Sequence, residues 1–86
     1  MSTVQVQKRD LERLDQYTRN TQWLLENMSD LRRRYPDRYV AVCDAGERIL
    51  DAATMDELVD KLMRSGLEPT VCATDFVSRE EYVLIV

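Results

Sequence analysis

Histidine is absent from this 86-residue chain, and glycine and proline occur only twice each. Without histidine the sequence lacks the commonest general base, the commonest metal ligand and the partner that activates a nucleophilic serine or cysteine. Two glycines are too few for a glycine-rich loop that cradles phosphate. These absences exclude most enzyme chemistry, and we predict a non-catalytic protein that holds no metal and no cofactor.

Cysteine is also scarce, and long apolar runs are missing. Cys43 and Cys72 are the two cysteines, and both lie in apolar stretches. The sequence shows no charged leader followed by an apolar core and cleavage site, and no run approaches the ~18 apolar residues that a membrane span needs. We therefore expect a cytoplasmic protein that contacts no membrane. Both cysteines are expected to be buried free thiols, with a disulfide between adjacent strands as the alternative.

What the chain does have is a hydrophobic fraction of 44% and an uneven distribution of charge. That fraction suffices for one small domain to fold without disulfides. The formal net charge is −4, yet residues 1–38 carry eight bases and six acids, whereas residues 39–86 carry four bases and ten acids. This asymmetry indicates polarised interaction surfaces and does not favour a uniform nucleic-acid binder.

Hydrophobic periodicity predicts a long first helix that begins near Asp10 and ends at Tyr35, before Pro36. Residues 1–9 are either a flexible N-terminus or the start of this helix. About 25 residues in a helix measure roughly 37 Å, whereas a domain of this size is about 30 Å across. We therefore expect the helix to extend beyond its own domain, with apolar residues that meet a partner.

The rest of the chain begins with a hairpin and a second helix. A strand at 38–43 and a short strand at 48–50 flank a turn in which Gly46 takes a positive φ. Thr54 caps the start of the helix, and Gly66 stands where the left-handed residue at the end of a helix belongs. Thr54 and Gly66 therefore define the ends of this helix more precisely than its apolar pattern does.

Two further strands are predicted at 70–77 and 82–86, which gives the order α-β-β-α-β-β. The chain is thus expected to be a single α+β domain over residues 10–86. Because a strand–helix–strand connection usually joins parallel strands, the second and third strands are predicted to be parallel neighbours. The simplest arrangement is a small mixed sheet with its helices on one face.

Several short motifs occur along the chain in a fixed order. They are a Tyr-Val-Ala-Val strand at 39–42, a glycine turn, an Asp-Glu-Leu helix at 56–58 behind Thr54, and Gly66. This series resembles an uncharacterised family of small prokaryotic domains of archaea and bacteria, and the likeness covers roughly residues 10–77. The resemblance implies a small α+β fold and brings no catalytic residues to this chain.

Two features predict a surface for a protein partner. The first is the apolar stripe of the long helix, with Trp23 beside it as either a core residue or an aromatic anchor. The second is the last strand, which is apolar on both faces and hence either central in a sheet or in contact with another chain. The candidate interface residues are Leu14, Tyr17, Trp23, Leu24, Met28, Leu31, Tyr82, Leu84 and Val86.

Four arginines form the densest cluster of charge, namely Arg32, Arg33, Arg34 and Arg38. Guanidinium groups bind phosphate and carboxylate bidentately, so the cluster is a candidate site for an anion or an acidic partner. In the alternative interpretation, these arginines complement the negative end of the helix dipole or pair with Asp30 and Asp37.

From these observations we expect a protein–protein interaction module that is either a homo-oligomer or a small subunit of a larger assembly. Two alternatives come from other classes of protein. One is a regulator of the antitoxin or enzyme-inhibitor type, whose acidic half covers a basic site. The other is a nucleic-acid-associated protein that uses the Arg32–Arg38 cluster, which the acidic total of the chain disfavours.

Overall fold

Three α-helices and three strands lie within residues 8–79, the part of the chain that the computed structural model describes. The α+β class predicted from the sequence is confirmed, whereas the predicted strand at 82–86 lies outside the described residues. The elements are α1 (Lys8–Glu26), α2 (Met28–Arg34), β1 (Arg38–Cys43), β2 (Arg48–Ala52), α3 (Met55–Arg64) and β3 (Ala73–Val77).

The three strands form an antiparallel sheet in the order β2-β1-β3. Val42 of β1 pairs with Ile49 on one side and with Ala73 on the other. The prediction of a mixed sheet with parallel second and third strands is therefore wrong for residues 8–79. β2 and β3 do run in the same direction, but β1 lies between them, because the most apolar strand takes the fully covered central position.

Helices cover both faces of this sheet, and the prediction that they lie on one face is wrong. Side chains of β1 alternate between the faces, and no polar residue interrupts Tyr39–Cys43, so each face needs its own cover. The cluster under α1 and α2 contains Leu24, Leu31, Val40, Val42, Ala73 and Val77. The cluster under α3 contains Ala41, Cys43, Ala52, Leu58, Leu62 and Cys72.

The long first helix is interrupted at Asn27, where the backbone has φ −111° and ψ 15°. The Asn27 side-chain amide donates to the Trp23 carbonyl oxygen at 2.9 Å, and the Asn27 backbone N–H donates to the same oxygen at 3.0 Å. Such bonding of a side chain to the preceding turn bends a helix. The sequence predicted one helix here, and the structure has α1 and α2 in succession, ending before Pro36 as expected.

The structure confirms the capping residues predicted at the two ends of α3, Thr54 and Gly66. The Thr54 hydroxyl accepts a hydrogen bond from the Glu57 N–H at 3.2 Å. At the other end Gly66 has a φ of +73°, and the Leu67 N–H donates to the Leu62 carbonyl oxygen at 2.9 Å, as in a Schellman motif. The helix boundaries therefore follow from its flanking residues.

The connection from α3 to β3 is longer than predicted. Two successive turns occupy it, since the Val71 N–H donates to the Glu68 carbonyl oxygen and the Cys72 N–H donates to that of Pro69. With their N–H groups bonded locally, these residues do not pair with β1. The third strand accordingly begins at Ala73 and not at Thr70.

Candidate functional site

A stripe of side chains runs along α1 beside the face that is buried against the sheet. We define this outer stripe by five residues at spacings of three and four. Its leucines and Thr18 are exposed, whereas Thr21 is half-buried with a buried hydroxyl. Leu11, Leu14 and Leu25 are 55%, 61% and 65% exposed, and Tyr17 at the border of the stripe is 46% exposed. Every side chain from residue 11 to residue 19 is exposed, which agrees with a helix that extends beyond its domain. The outer stripe consists of Leu11, Leu14, Thr18, Thr21 and Leu25.

The two acids that border the outer stripe, Asp15 and Glu26, have hydrogen-bond or ion-pair partners within α1 itself. Arg19 lies 3.1 Å from Asp15, and the Gln22 side-chain amide donates to the Glu26 carboxylate at 3.1 Å. The Thr18 hydroxyl donates to the Leu14 carbonyl oxygen at 2.8 Å, so this polar group in the stripe is satisfied internally. The outer stripe is therefore apolar, and Glu26 keeps its negative charge at the border.

Some of the predicted interface residues lie inside the domain. Leu24 and Leu31 are 3% and 0% exposed and present no surface to a partner. Met28 and Trp23 are half-buried and pack against the same cluster. The apolar pattern of α1 thus combines two stripes, one toward the sheet and one toward solvent, and only the second is free for binding.

Leu14 and Tyr17 are the predicted interface residues that do lie at the surface. They border a shallow groove with Arg13, Thr70 and Val71, where α1 passes over the turns that precede β3. Arg13 forms an ion pair with Glu68 at this crossing. The remaining predicted interface residues lie outside the described residues and are Tyr82, Leu84 and Val86.

The arginine cluster is divided among neighbouring acids. Arg33 lies 3.2 Å and Arg34 lies 3.5 Å from the carboxylate of Asp30, and the guanidinium of Arg34 also lies over the Tyr35 ring, 5.2 Å from its centre. Arg32 is half-buried. These contacts agree with the interpretation that Arg33 and Arg34 pair within the chain, but the two share one carboxylate and α2 keeps a net positive charge.

Arg38 pairs with Asp51, not with the predicted Asp37. Its Nε lies 2.6 Å from the Asp51 carboxylate, across the β1–β2 pair. Asp37 instead pairs with Arg79, at 3.3 Å, and accepts a hydrogen bond from the Arg79 N–H. Arg38 therefore has a different acidic partner from Arg33 and Arg34.

Asn20 is the buried polar residue that sequence reasoning missed. It is 3% exposed, its side-chain amide donates to the Val71 carbonyl oxygen at 2.7 Å, and its side-chain oxygen accepts from the Ala45 N–H at 2.7 Å. Tyr17, Asn20, Leu24 and Asn27 follow one another at spacings of three and four. That spacing, which places Asn20 on the buried face of α1, is the signal that marks it.

The segment that Asn20 holds has an unusual backbone. Asp44, Ala45 and Gly46 all have positive φ values, of 51°, 52° and 95°. Sequence analysis predicted a positive φ for Gly46 alone. A left-handed backbone is costly for residues with a Cβ, so the hydrogen bond from Ala45 to Asn20 helps to maintain this turn.

A pocket of about 270 Å³ opens beside this turn, and both cysteines line it. Cys43 and Cys72 are free thiols, 2% and 3% exposed, as predicted. Burial, then a hydrogen bond and charge interaction with Cys72, and then Asp44 raise the pKa of Cys43 from 9.0 to about 12, against the opposing charge of Arg48. Cys43 therefore carries its proton at neutral pH.

Two further classes of site were tested on the described residues. Among residues 8–79, no three cysteine, aspartate or glutamate side chains come close enough together to hold a metal ion. In the same part of the chain, no helix combines the length and the apolar character required to cross a bilayer.

Comparison with models of known protein families, with curated proteins and with solved structures gives no significant match. The resemblance to small prokaryotic domains stays an expectation that these comparisons do not test.

Proposed function

We propose that this chain is a non-catalytic interaction module that binds a second copy of itself through the outer stripe of α1. The observation that carries the proposal is the exposure of Leu11, Leu14 and Leu25, each more than half exposed, on one side of a regular helix. Removing a leucine side chain from water contributes about 1.5–3 kcal/mol. Three such side chains on one stripe provide a substantial driving force for association.

The spacing of the stripe favours a helix as its occupant. Apolar positions that alternate at three and four residues form the seam between packed helices, where each side chain fits between residues of the facing helix. Thr18 and Thr21 are small enough to let two helices approach at the middle of such a seam. The helix α1 of a second copy supplies the matching spacing.

Self-association also fits the charges around the stripe. In a dimer with two-fold symmetry the same patch meets itself, so any uncompensated charge would face a like charge. Asp15 and Glu26 have partners on their own helix. Arg19 balances the charge of Asp15, whereas the neutral amide of Gln22 leaves Glu26 negative. Added salt screens repulsion between the two copies, so the dimer is expected to persist at high salt.

Each of the three alternatives requires that the chain bind something other than a second copy of itself. The partner would be a larger protein assembly, the target of an acidic inhibitor, or a nucleic acid. The nucleic-acid alternative would rest on α2, where Arg32, Arg33 and Arg34 outnumber the single acid Asp30, but the formal net charge of −4 disfavours it. No contact among residues 11–79 favours the inhibitor. The homodimer is therefore the proposal to test, and the others are outcomes of that test.

The test compares the mass in solution of the unmodified chain with that of Leu14→Lys and Leu25→Lys, measured by light scattering behind a sizing column. Each substitution places a charge in the stripe on both copies, so we expect the dissociation constant to rise about 100-fold or more. Met63→Lys is the matched control, because Met63 is 66% exposed on α3, outside the stripe.

A dimer that is weakened by both stripe variants and unchanged by the control supports the proposal. A chain that is monomeric at every concentration contradicts it, as does a dimer that both stripe variants leave intact. A monomer that co-purifies in fixed ratio with a larger protein would replace the homodimer with the subunit alternative.

A further inference from the structure

We propose that Cys43 and Cys72 form a reversible intrachain disulfide by exchange with a low-molecular-weight disulfide that enters the pocket beside the turn at 44–46. The proposal is independent of dimer formation. It assigns to the pocket a chemical role that the absence of histidine does not exclude, since thiol–disulfide exchange requires only thiols and a disulfide.

The register of the sheet places the two cysteines opposite one another. Val42 pairs with Ala73 at the end of the β1–β3 ladder, so Cys43 and Cys72 are the next residue on each side. Directly opposite residues of antiparallel strands have Cβ atoms about 4.5–5.5 Å apart, and a disulfide needs about 3.5–4.5 Å. If the two Cβ atoms approach one another by roughly 1 Å, the distance between them therefore suits a disulfide.

The backbone allows this movement because Cys72 lies just outside the strand. Its N–H donates to the Pro69 carbonyl oxygen at 3.3 Å, which is a turn contact, and its Sγ lies 3.4 Å from the Glu68 carbonyl oxygen. Cys43, by contrast, is held in β1 opposite Arg48. Cys72 is thus the member of the pair that can approach its partner.

The pocket, which both cysteines line, is where a small reagent would enter. Its lining includes Asp44, Glu47 and Glu68 against a single base, Arg19. The preponderance of carboxylates favours a cationic disulfide over an anionic one. We therefore expect cystamine, which carries two ammonium groups, to react faster than glutathione disulfide, which is anionic.

The order of the two steps follows from the positions of the two cysteines. Cys72 lies just outside the strand and can move, so its sulfur attacks the entering disulfide first and its proton passes to the departing small thiolate. Cys43 is held in β1, and burial and its contacts with Cys72 and Asp44 raise its pKa, which makes it the poorer nucleophile. The first attack forms a mixed disulfide on Cys72 and releases one small thiol. Cys43 then gives up its proton, attacks the Cys72 sulfur and displaces the second small thiol. In total, two protein thiols and one disulfide become one protein disulfide and two small thiols.

The test exposes the native reduced chain to cystamine and follows its intact mass. The unmodified chain is expected to lose the mass of two hydrogens, to remain a single chain on a non-reducing denaturing gel, and to regain its thiols with dithiothreitol. Proteolytic mapping should join the peptides that contain Cys43 and Cys72. Because this measurement uses the unmodified chain, it does not depend on how well a variant folds.

Two single-cysteine variants test the order of attack. Cys43→Ser should retain one cystamine half on Cys72 as a stable mixed disulfide, and Cys72→Ser should react at least about tenfold more slowly. The proposal is overturned if the unmodified chain carries two separate adducts, reacts only after unfolding, or forms its disulfide between chains. Equal rates for cystamine and glutathione disulfide would overturn the assigned preference for a cation.

Discussion

The indole of Trp23 lies directly against Gly46, so closely that a Cβ on this glycine would stand 2.2 Å from Trp23 Cε2. This contact joins α1 to the turn between β1 and β2, and Asn20 joins the same helix to Ala45 one residue earlier. Together they hold one side of α1 against the sheet. The three leucines of the outer stripe consequently lie on a side of α1 that the sheet does not cover.

Substitution of Gly46 by alanine should destabilise the fold strongly. The new Cβ would collide with the Trp23 ring, and alanine disfavours the φ of +95° at this position. We expect the free energy of unfolding to fall by about 2–4 kcal/mol. Gly66→Ala is the matched control, because Gly66 has a φ of +73° but nothing within 4 Å of its added Cβ. Urea unfolding that shows equal losses for the two variants would contradict the packing of Trp23 on Gly46.

Replacement of Asn20 by leucine should also be costly, although leucine is similar in size and apolar. The change leaves the Val71 carbonyl and the Ala45 N–H without their partner. We predict a loss of about 2–4 kcal/mol in the free energy of unfolding. Gln22→Ala, on the exposed side of the same helix, should change it by less than about 0.5 kcal/mol. A loss from Asn20→Leu no larger than that of the control would show that these hydrogen bonds contribute little.

Stability should decline in alkaline solution because of Cys43. Its pKa is about 12 in the folded chain and 9.0 ordinarily, so between these values the unfolded chain releases a proton that the folded chain keeps. The free energy of unfolding therefore falls as pH rises through this interval, by at most about 1.4 kcal/mol per pH unit. Urea unfolding at about pH 8 and about pH 10 should show a larger loss for the unmodified chain than for Cys43→Ser. Equal losses would contradict the raised pKa.

The arginines of α2 should contribute little to stability or to binding of nucleic acid. Arg33 and Arg34 share Asp30 on an exposed surface, and each such pair stabilises a protein by about 0–1 kcal/mol. We expect Arg33→Ala combined with Arg34→Ala to leave salt-dependent retention on a DNA column unchanged. Retention of the unmodified chain that disappears in this double variant would favour the nucleic-acid alternative.

Features governed by neighbouring residues were predictable from the sequence. The bounds of β1 follow from an unbroken apolar and β-branched run, and the ends of α3 follow from Thr54 and Gly66. The stop before Pro36 is equally local, because proline restricts the residue that precedes it. In each case the determining atoms lie within one turn of the chain.

Features that depend on distant residues were not predictable in this way. The order β2-β1-β3 depends on which strand is stabilised most when both of its faces are buried. The break at Asn27 depends on whether its side-chain amide bonds to the Trp23 carbonyl oxygen of the preceding turn or points into solvent, and the sequence does not specify which. The apolar residues of α1 divide between core and surface according to which side meets the sheet, and composition does not specify that side. The pairing of Cys43 with Cys72 depends on the register of two strands separated by α3.

Sedimentation equilibrium of the unmodified chain distinguishes a dimer built on α1 from a monomer. The chain has a mass of 10.1 kDa. If α1 of one copy packs on α1 of another, the mass in solution should approach twice that value as concentration rises and should not fall when salt is added. A mass equal to that of one chain throughout the concentration range would contradict the account.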